Sequence, residues 1–194
     1  MKVTKAQAQA NRAHIVQTAA ALFRERGYDG VGIADLMAVA GFTHGGFYKH
    51  FPSKADLLAE AATCGFAQAA AKAEGVDAAA FVTHYLSREH RDARGEGCTM
   101  AALCGDAARQ PEPIKAAFAA GIESLLATLA SQSAAPQDAK RAGELRARRI
   151  EVIAQVIGAL VLSRACPDDS ALADEILDVC RAAVLSRRPP ARDA

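Results

Sequence analysis

The densest chemistry in the chain lies between Ala40 and Leu58, AGFTHGGFYKHFPSKADLL. Thr43, His44, Tyr48, Lys49, His50 and Lys54 bring hydroxyls, imidazoles and ammonium groups, and the first carboxylate after them is Asp56. Such a set can offer hydrogen-bond donors and charge to an anion. Gly45 and Gly46 stand among these residues. A glycine inside a helix costs about 1 kcal/mol relative to alanine, so the pair calls for something that must come close to the backbone. A helix N-terminus offers unpaired N–H groups and a positive dipole end, and two missing side chains let a phosphate rail press against it. Thr43 and Tyr48 then supply hydroxyls to phosphate, Lys49, His50 and Lys54 supply charge, and His44 is placed to reach a base edge. Phe47 and Phe51, four residues apart, share a face and belong in a core.

These groups need elements that position them, and the apolar spacing supplies helices throughout. Ile15, Ala19, Leu22 and Phe23 recur at helical intervals within Ala10–Arg26, and Gly27 follows where a C-terminal cap belongs. A second helix is expected over Ile33–Ala40, ended by Gly41, and a third from about Thr43, as its cap, to Phe51. Pro52 stops it, and Ser53 caps a long fourth helix over Lys54–Ala73. Two short helices joined by Gly41-Phe42 form a helix-turn-helix, a module whose second helix enters the major groove of double-stranded DNA. Further helices are expected over Asp77–His90, Thr99–Arg109, Pro113–Ser131, Gln137–Arg164 and Ser170–Ser186. The breaks between them are ARGEG, QPEP, SQSAAP and CPDDS, and the tail RRPPARDA is expected to fray. The fold class is all-α, with about nine helices: a three-helix DNA-binding domain over residues 1–55 and a larger helical domain over 56–194.

Over Arg12–Leu58 the sequence resembles the TetR family of transcriptional regulators. The matching stretches are IVQTAAALFRERGYDGVGIADLM, which contains the family's FxxxGY, and AGFTHGGFYKHFPSK, which follows its AGxSxGxxYxHFxxK. The resemblance implies that Thr43 caps the recognition helix, that His44, Gly45 and Gly46 face the groove, and that Tyr48, His50 and Lys54 face phosphates. Gly32 stands where the family often has the Thr or Ser that caps the second helix and binds phosphate. The resemblance also implies a C-terminal effector-binding and dimerisation domain. The expected partners are a palindromic operator, a second copy of the chain and a small-molecule effector, and the expected role is a repressor released by a small hydrophobic or electrophilic effector. Apolar stripes along Ile150, Ile153, Ile157, Leu160 and Val161, and along Leu172, Ile176, Val179, Ala183 and Val184, suit a four-helix dimer interface. A two-fold dimer sets two recognition helices about 34–36 Å apart on successive major grooves.

Composition limits the alternatives. At 51% hydrophobic and 23% charged residues the chain can bury one or two cores, which excludes a predominantly disordered state. Basic residues outnumber acidic ones through Lys54, while the whole chain carries only +1, so the remainder is net acidic, as suits one end meeting a polyanion. No uninterrupted apolar run reaches membrane-spanning length and the start lacks a secretory core, so a cytoplasmic protein without membrane association is expected. Five cysteines without a CxxC pair favour free thiols over disulfides or zinc, and no metal or other cofactor is expected.

The candidate effector-binding residues are Phe66, Phe81, His84, Tyr85, Cys98, Met100, Leu103, Cys104, Phe118 and Ile122, mostly apolar. Cys98 follows RGEG at the start of a helix, a position that lowers a thiol's pKa and raises its reactivity, though burial of a small apolar side chain is the commoner role of free cysteine. Two other classes remain open from the residues alone. One is a small helical enzyme using Cys98, which lacks a third orienting group and any HExxH, GxSxG, Walker or GxGxxG pattern. The other is a helical partner-binding module without DNA contact, for which only Gly32 speaks.

Overall fold

The computed structural model describes residues 4–131 and 136–186; the RRPPARDA tail and most of the SQSAAP break lie outside the described residues. Among the described residues all regular structure is helical. In chain order it runs α1 Lys5–Arg26, α2 Ile33–Val39, a 3-10 turn His44–Lys49, α3 Lys54–Ala73, α4 Ala78–Tyr85 and α5 Arg88–Asp92. A short 3-10 turn at Arg94–Glu96 follows, then α6 Thr99–Ala107, α7 Glu112–Ser131, α8 Ala139–Ala165 and α9 Ala171–Ser186.

Local chemistry sets most of these limits. α1 begins earlier than its apolar period indicates because the Thr4 hydroxyl accepts the Gln7 amide at 3.1 Å, and Gly27 closes it at φ 74°. The Ser53 hydroxyl accepts the Asp56 amide at 3.2 Å and opens α3 where expected. The single helix expected over Asp77–His90 is instead two, α4 and α5. Asp77 caps the first through the Ala79 and Ala80 amides, and the Ser87 hydroxyl, accepting from His90, starts a new helix after the break at Leu86. A serine able to cap competes with continuing the helix through it.

The chain forms two compact units, Met1–Ala71 with Arg94–Ser124, and Lys72–Ala93 with Leu125–Ala194. The first is built on Ile15, Ala19, Phe23, Leu36, Met37, Phe47, Phe51, Leu57, Leu58, Leu103, Ile114 and Phe118, all buried in one cluster. α7 is the one helix among the described residues that is long and apolar enough to cross a membrane by length and composition. Its Ile114 and Phe118 are buried in the core of the first unit, and Lys115 and Glu123 interrupt its apolar run.

The second unit packs α8 against α9, and the Ser163 hydroxyl donates to the Ala173 carbonyl at 2.9 Å. Arg91, only 1% exposed, crosses that unit's interior. Its Nε donates to the Ser163 carbonyl at 3.2 Å, Nη1 pairs with Asp92 at 2.7 Å, and Nη2 reaches the Cys166 carbonyl at 3.3 Å and Asp168 at 3.4 Å. Replacing Arg91 by Met keeps the stem but strands those carbonyls. The expected loss is about 3 kcal/mol, seen as a fall in melting temperature of roughly 5–10 °C; an unchanged melt would refute the bracing role.

His90, in the same unit, has its pKa lowered by burial, against a hydrogen bond from Nδ1 to the Tyr85 carbonyl at 2.7 Å that raises it; Arg164, His84 and Lys72 also face it and lower it further. The unfolded chain therefore binds the proton more readily than the folded one. This contribution to stability is complete above the unfolded value of about 6.5 and is lost as pH falls through it toward the folded value. Urea titrations at pH 7.5 and 5.5 should show that loss, and the His90→Gln variant should show a smaller one.

Candidate nucleic-acid interface

α2 ends in a turn that only glycine fits well. Gly41 takes φ 79°, its amide bonds to the Ala38 carbonyl at 3.0 Å, and the Phe42 amide reaches back to Met37 at 2.8 Å. Phe42 then packs against the core, with the His14 ring edge-on at 6.2 Å. Thr43 follows in extended conformation at φ −81°, ψ 150°.

The next element differs from expectation in two ways. It is a 3-10 turn, His44–Lys49, and Thr43 occupies the N-cap position without a side-chain cap bond. The Thr43 carbonyl instead accepts the Gly46 amide at 2.9 Å, which leaves the exposed hydroxyl for another partner. A 3-10 turn stacks residues three apart directly over one another. Of its three such pairs here, those beginning at Gly45 and Gly46 have no side chain to clash, which removes most of the usual crowding. The buried side is fixed by Phe47 and Phe51, both 0% exposed, with ring centroids 5.5 Å apart.

The opposite side is open. Thr43, His44, Gly45, Tyr48 and Lys49 are exposed, Tyr48 at 63%, and His44 and Tyr48 sit edge to face at 6.3 Å. A Cβ added at Gly45 would meet nothing within 4 Å, whereas one at Gly46 would touch Met37 and Thr43 at 3.6 Å, an ordinary contact. Nothing inside the protein therefore requires Gly45 to lack a side chain. His50 and Lys54 are half-buried. The Lys54 ammonium donates to the Tyr28 carbonyl at 2.7 Å, so it is anchored to the turn after α1 and keeps two further N–H groups.

Two structural partners of this region have no sequence signature. Asp106 of α6 accepts the Tyr28 amide at 2.9 Å and pairs with Arg109 at 3.0 Å. Arg12 of α1 forks onto Glu60 of α3 and donates Nε–H to the His50 carbonyl at 3.3 Å. Both lie too far apart along the chain for spacing to reveal.

The candidate effector-binding residues divide between the two units. In the first, Phe66 meets Phe118 edge-on at 5.3 Å, Leu103 and Phe118 are buried in the core, and Met100 is buried; Ile122 is half-buried. A Cβ at Gly121 would collide with the Phe66 ring, so glycine there admits the aromatic side chain. Cys98 is the N-cap of α6 and 8% exposed. Cys104, half-buried, has its thiol pKa raised by burial, and Cys64 likewise. Arg24, buried beside them, donates to the Gly95 carbonyl at 2.8 Å, and burial lowers its pKa. In the second unit, the Phe81 and Tyr85 rings meet at a tilt with centroids 5.7 Å apart, those of Tyr85 and His90 likewise at 4.6 Å, and His84 is exposed.

The arrangement is a helix-turn-helix DNA-binding domain: a scaffold helix, a glycine turn, and a short second element with one face in the core and a donor-rich face outward. Residues 15–61 match the bacterial regulatory proteins of the tetR family. The HTH-type transcriptional regulator AcrR of Shigella flexneri is 39% identical over 57 residues, which are 29% of this chain and 26% of that protein. The match thus spans about a quarter of the length of that curated relative. Over most of the chain the fold is similar to reduced E. coli NemR, with TM-score 0.70 and 19% identity, covering 91% of this chain and 96% of that one. It is also similar to a TetR-family regulator from Agrobacterium tumefaciens, with TM-score 0.69 and 23% identity, covering 93% and 98%. Residues 15–61 are thus similar to the DNA-binding domain of the TetR family of transcriptional regulators.

Gly32, the N-cap of α2, makes no side-chain cap bond, and a Cβ there would lie 3.3 Å from the mobile end of Asp35. Gly32→Ser should supply the missing cap, raise stability by about 0.5 kcal/mol in urea titration and leave the far-ultraviolet spectrum unchanged. A destabilised variant would mean that Asp35 cannot give way.

Proposed function

We propose that this protein is a homodimeric transcriptional repressor that reads a palindromic operator through residues 1–55 and leaves it when a small effector binds within residues 56–194. The observation that carries the DNA reading is the outward face of the His44–Lys49 turn, where donors surround a glycine that the fold itself does not need. In this reading Thr43 and Tyr48 give hydroxyls to phosphates, Lys49, His50 and Lys54 add charge, Gly45 and Gly46 admit the sugar-phosphate rail, and His44 reads a base edge.

The dimer is supported by apolar side chains left in the open along α8 and α9. Ile150 (47%), Val161 (43%), Leu162 (60%), Leu172 (54%) and Val179 (61%) are exposed, while Leu160 and Leu177 of the same helices are buried. Exposed apolar side chains on two helices that pack together favour an interface there. For the effector, the apolar and aromatic candidates Phe66, Met100, Leu103, Phe118 and Ile122 favour a small hydrophobic molecule. Burial of Cys98 and the raised thiol pKa of Cys104 speak for packing more than for capture of an electrophile.

Duplex DNA from the region flanking the protein's own gene should shift in a gel-mobility assay. With Lys49 and Lys54 from each of two subunits, affinity should fall with a log–log salt slope of about −4; no binding, or binding indifferent to salt, would overturn the proposal. Gly45→Ala separates clearance from folding. The variant should melt no lower than the parent, since alanine suits a helical turn better, yet bind DNA about tenfold or more weakly. Undiminished binding would remove the role given to Gly45.

A further inference from the structure

We propose that Arg12 is a positioning residue that holds the DNA-reading turn in place and does not itself contact phosphate. The proposal rests on the DNA reading above. Arg12 is one of the basic residues of the N-terminal quarter and would ordinarily be counted toward the charge offered to a polyanion. Its surroundings assign that charge elsewhere. Both terminal nitrogens pair with the two carboxylate oxygens of Glu60, and the guanidinium carbon lies over the Phe51 ring, 4.6 Å from its centroid. A third N–H, on Nε, goes to the His50 carbonyl at 3.3 Å, so three of the five guanidinium donors are held inside the protein. Glu60 also raises the Arg12 pKa, chiefly through these hydrogen bonds.

His50 is where the 3-10 turn ends, so its carbonyl is among those a helix terminus leaves without an internal partner. Arg12 supplies that partner from α1 while Glu60 ties the same guanidinium to α3. The turn needs such a hold. Two adjacent glycines make its backbone permissive, and Thr43 gives no side-chain cap at its other end. A solvent-exposed ion pair alone contributes little. Here the geometry is bidentate, set over an aromatic ring and hydrogen-bonded to the backbone of the element that it positions, which lysine cannot imitate.

The two roles differ in sign at Glu60. If Arg12 positions the turn, Glu60→Gln loosens it and weakens DNA binding. If Arg12 is a phosphate ligand partly neutralised by Glu60, the same change frees a cation and tightens binding. The experiment measures binding of full-length parent, Arg12→Gln, Arg12→Lys and Glu60→Gln to duplex DNA from upstream of the protein's own gene, across a salt series. Thermal melting confirms that each is folded, and amide hydrogen exchange follows residues 44–50.

The expected result is binding about tenfold weaker in all three variants, with the parent's salt slope. Exchange should be faster across residues 44–50 and unchanged around Ile15 and Ala19. Retained affinity in Arg12→Lys, tighter binding in Glu60→Gln, or a slope reduced by about one per subunit in Arg12→Gln would overturn the proposal. Should Arg12→Gln fail to fold, the other two variants still decide. If the parent itself binds no DNA, the DNA reading fails separately, and unchanged exchange at residues 44–50 in the variants would then overturn the positioning role.

Discussion

The first unit depends on the burial of Phe47 and Phe51. These two rings, four residues apart and fully enclosed, attach the segment that carries the donor-rich face to a core formed by α1, α2 and α3. Burying an aromatic side chain of this kind is worth about 1.5–3 kcal/mol relative to exposing it. That is enough to hold six residues whose own preference for helix is poor, with glycine at two of them. The tethered face sets what the free face can be. Once Phe47 and Phe51 point inward, His44, Gly45, Tyr48 and Lys49 are left outward, so anchoring and presentation follow from one spacing.

A surface that must be approached closely cannot also be filled for stability. Gly45 shows this most simply, because the space beside it within the protein is vacant. Compensation comes from polar contacts that reach the segment from neighbouring helices. The turn at Gly27-Tyr28 is held on one side by the Asp106 carboxylate and on the other by the Lys54 ammonium, each through the backbone of Tyr28. Tyr28 itself is buried edge-on against Phe23 at 5.4 Å, and its phenol pKa is raised, first by burial and then by Asp106 and Cys104. Lys54 is thus a structural link before it meets any ligand, and its position next to the reading turn is set by α1 and α6 together. A phosphate accepting from its remaining donors would find the ammonium already oriented, which reduces the entropy lost on binding.

Much of this was legible in the sequence where the signal was local. The C-terminal end of α1 at Gly27, the limits of α3, the Gly41 turn, and the inward placement of Phe47 and Phe51 all follow from capping residues and from three- and four-residue spacing, whereas α1 starts five residues before its expected Ala10. The misses share another physical origin. The break between α4 and α5 was hidden because apolar residues continue through it, while Ser87 acts by a backbone bond that periodicity does not report. The 3-10 geometry at His44–Lys49 depends on side-chain crowding at an interval of three. The Arg12–Glu60 and Asp106–Tyr28 contacts join residues brought together only by the fold. Charge counting was misleading for the same reason, since it treated Arg12, Arg24 and Lys54 alike.

Those three cations have different environments, and the difference decides what each can do. Arg24 is buried, bonded to the Gly95 carbonyl and to Gln68, and offers nothing to solvent. Arg12 is partly exposed, but three of its five donors are directed to Glu60 and His50, and its charge is paired. Lys54 is partly exposed, and with a single bond, to the Tyr28 carbonyl, it keeps two of its three donors for a ligand. A basic N-terminal quarter is therefore a poor measure of the charge that a polyanion meets. The effective set is smaller, and it is concentrated at the turn and at the start of α3, where exposed Lys49 and anchored Lys54 flank the aromatic anchor. Concentration in one place, more than the total, is what makes the interface able to select a geometry instead of merely attracting an anion.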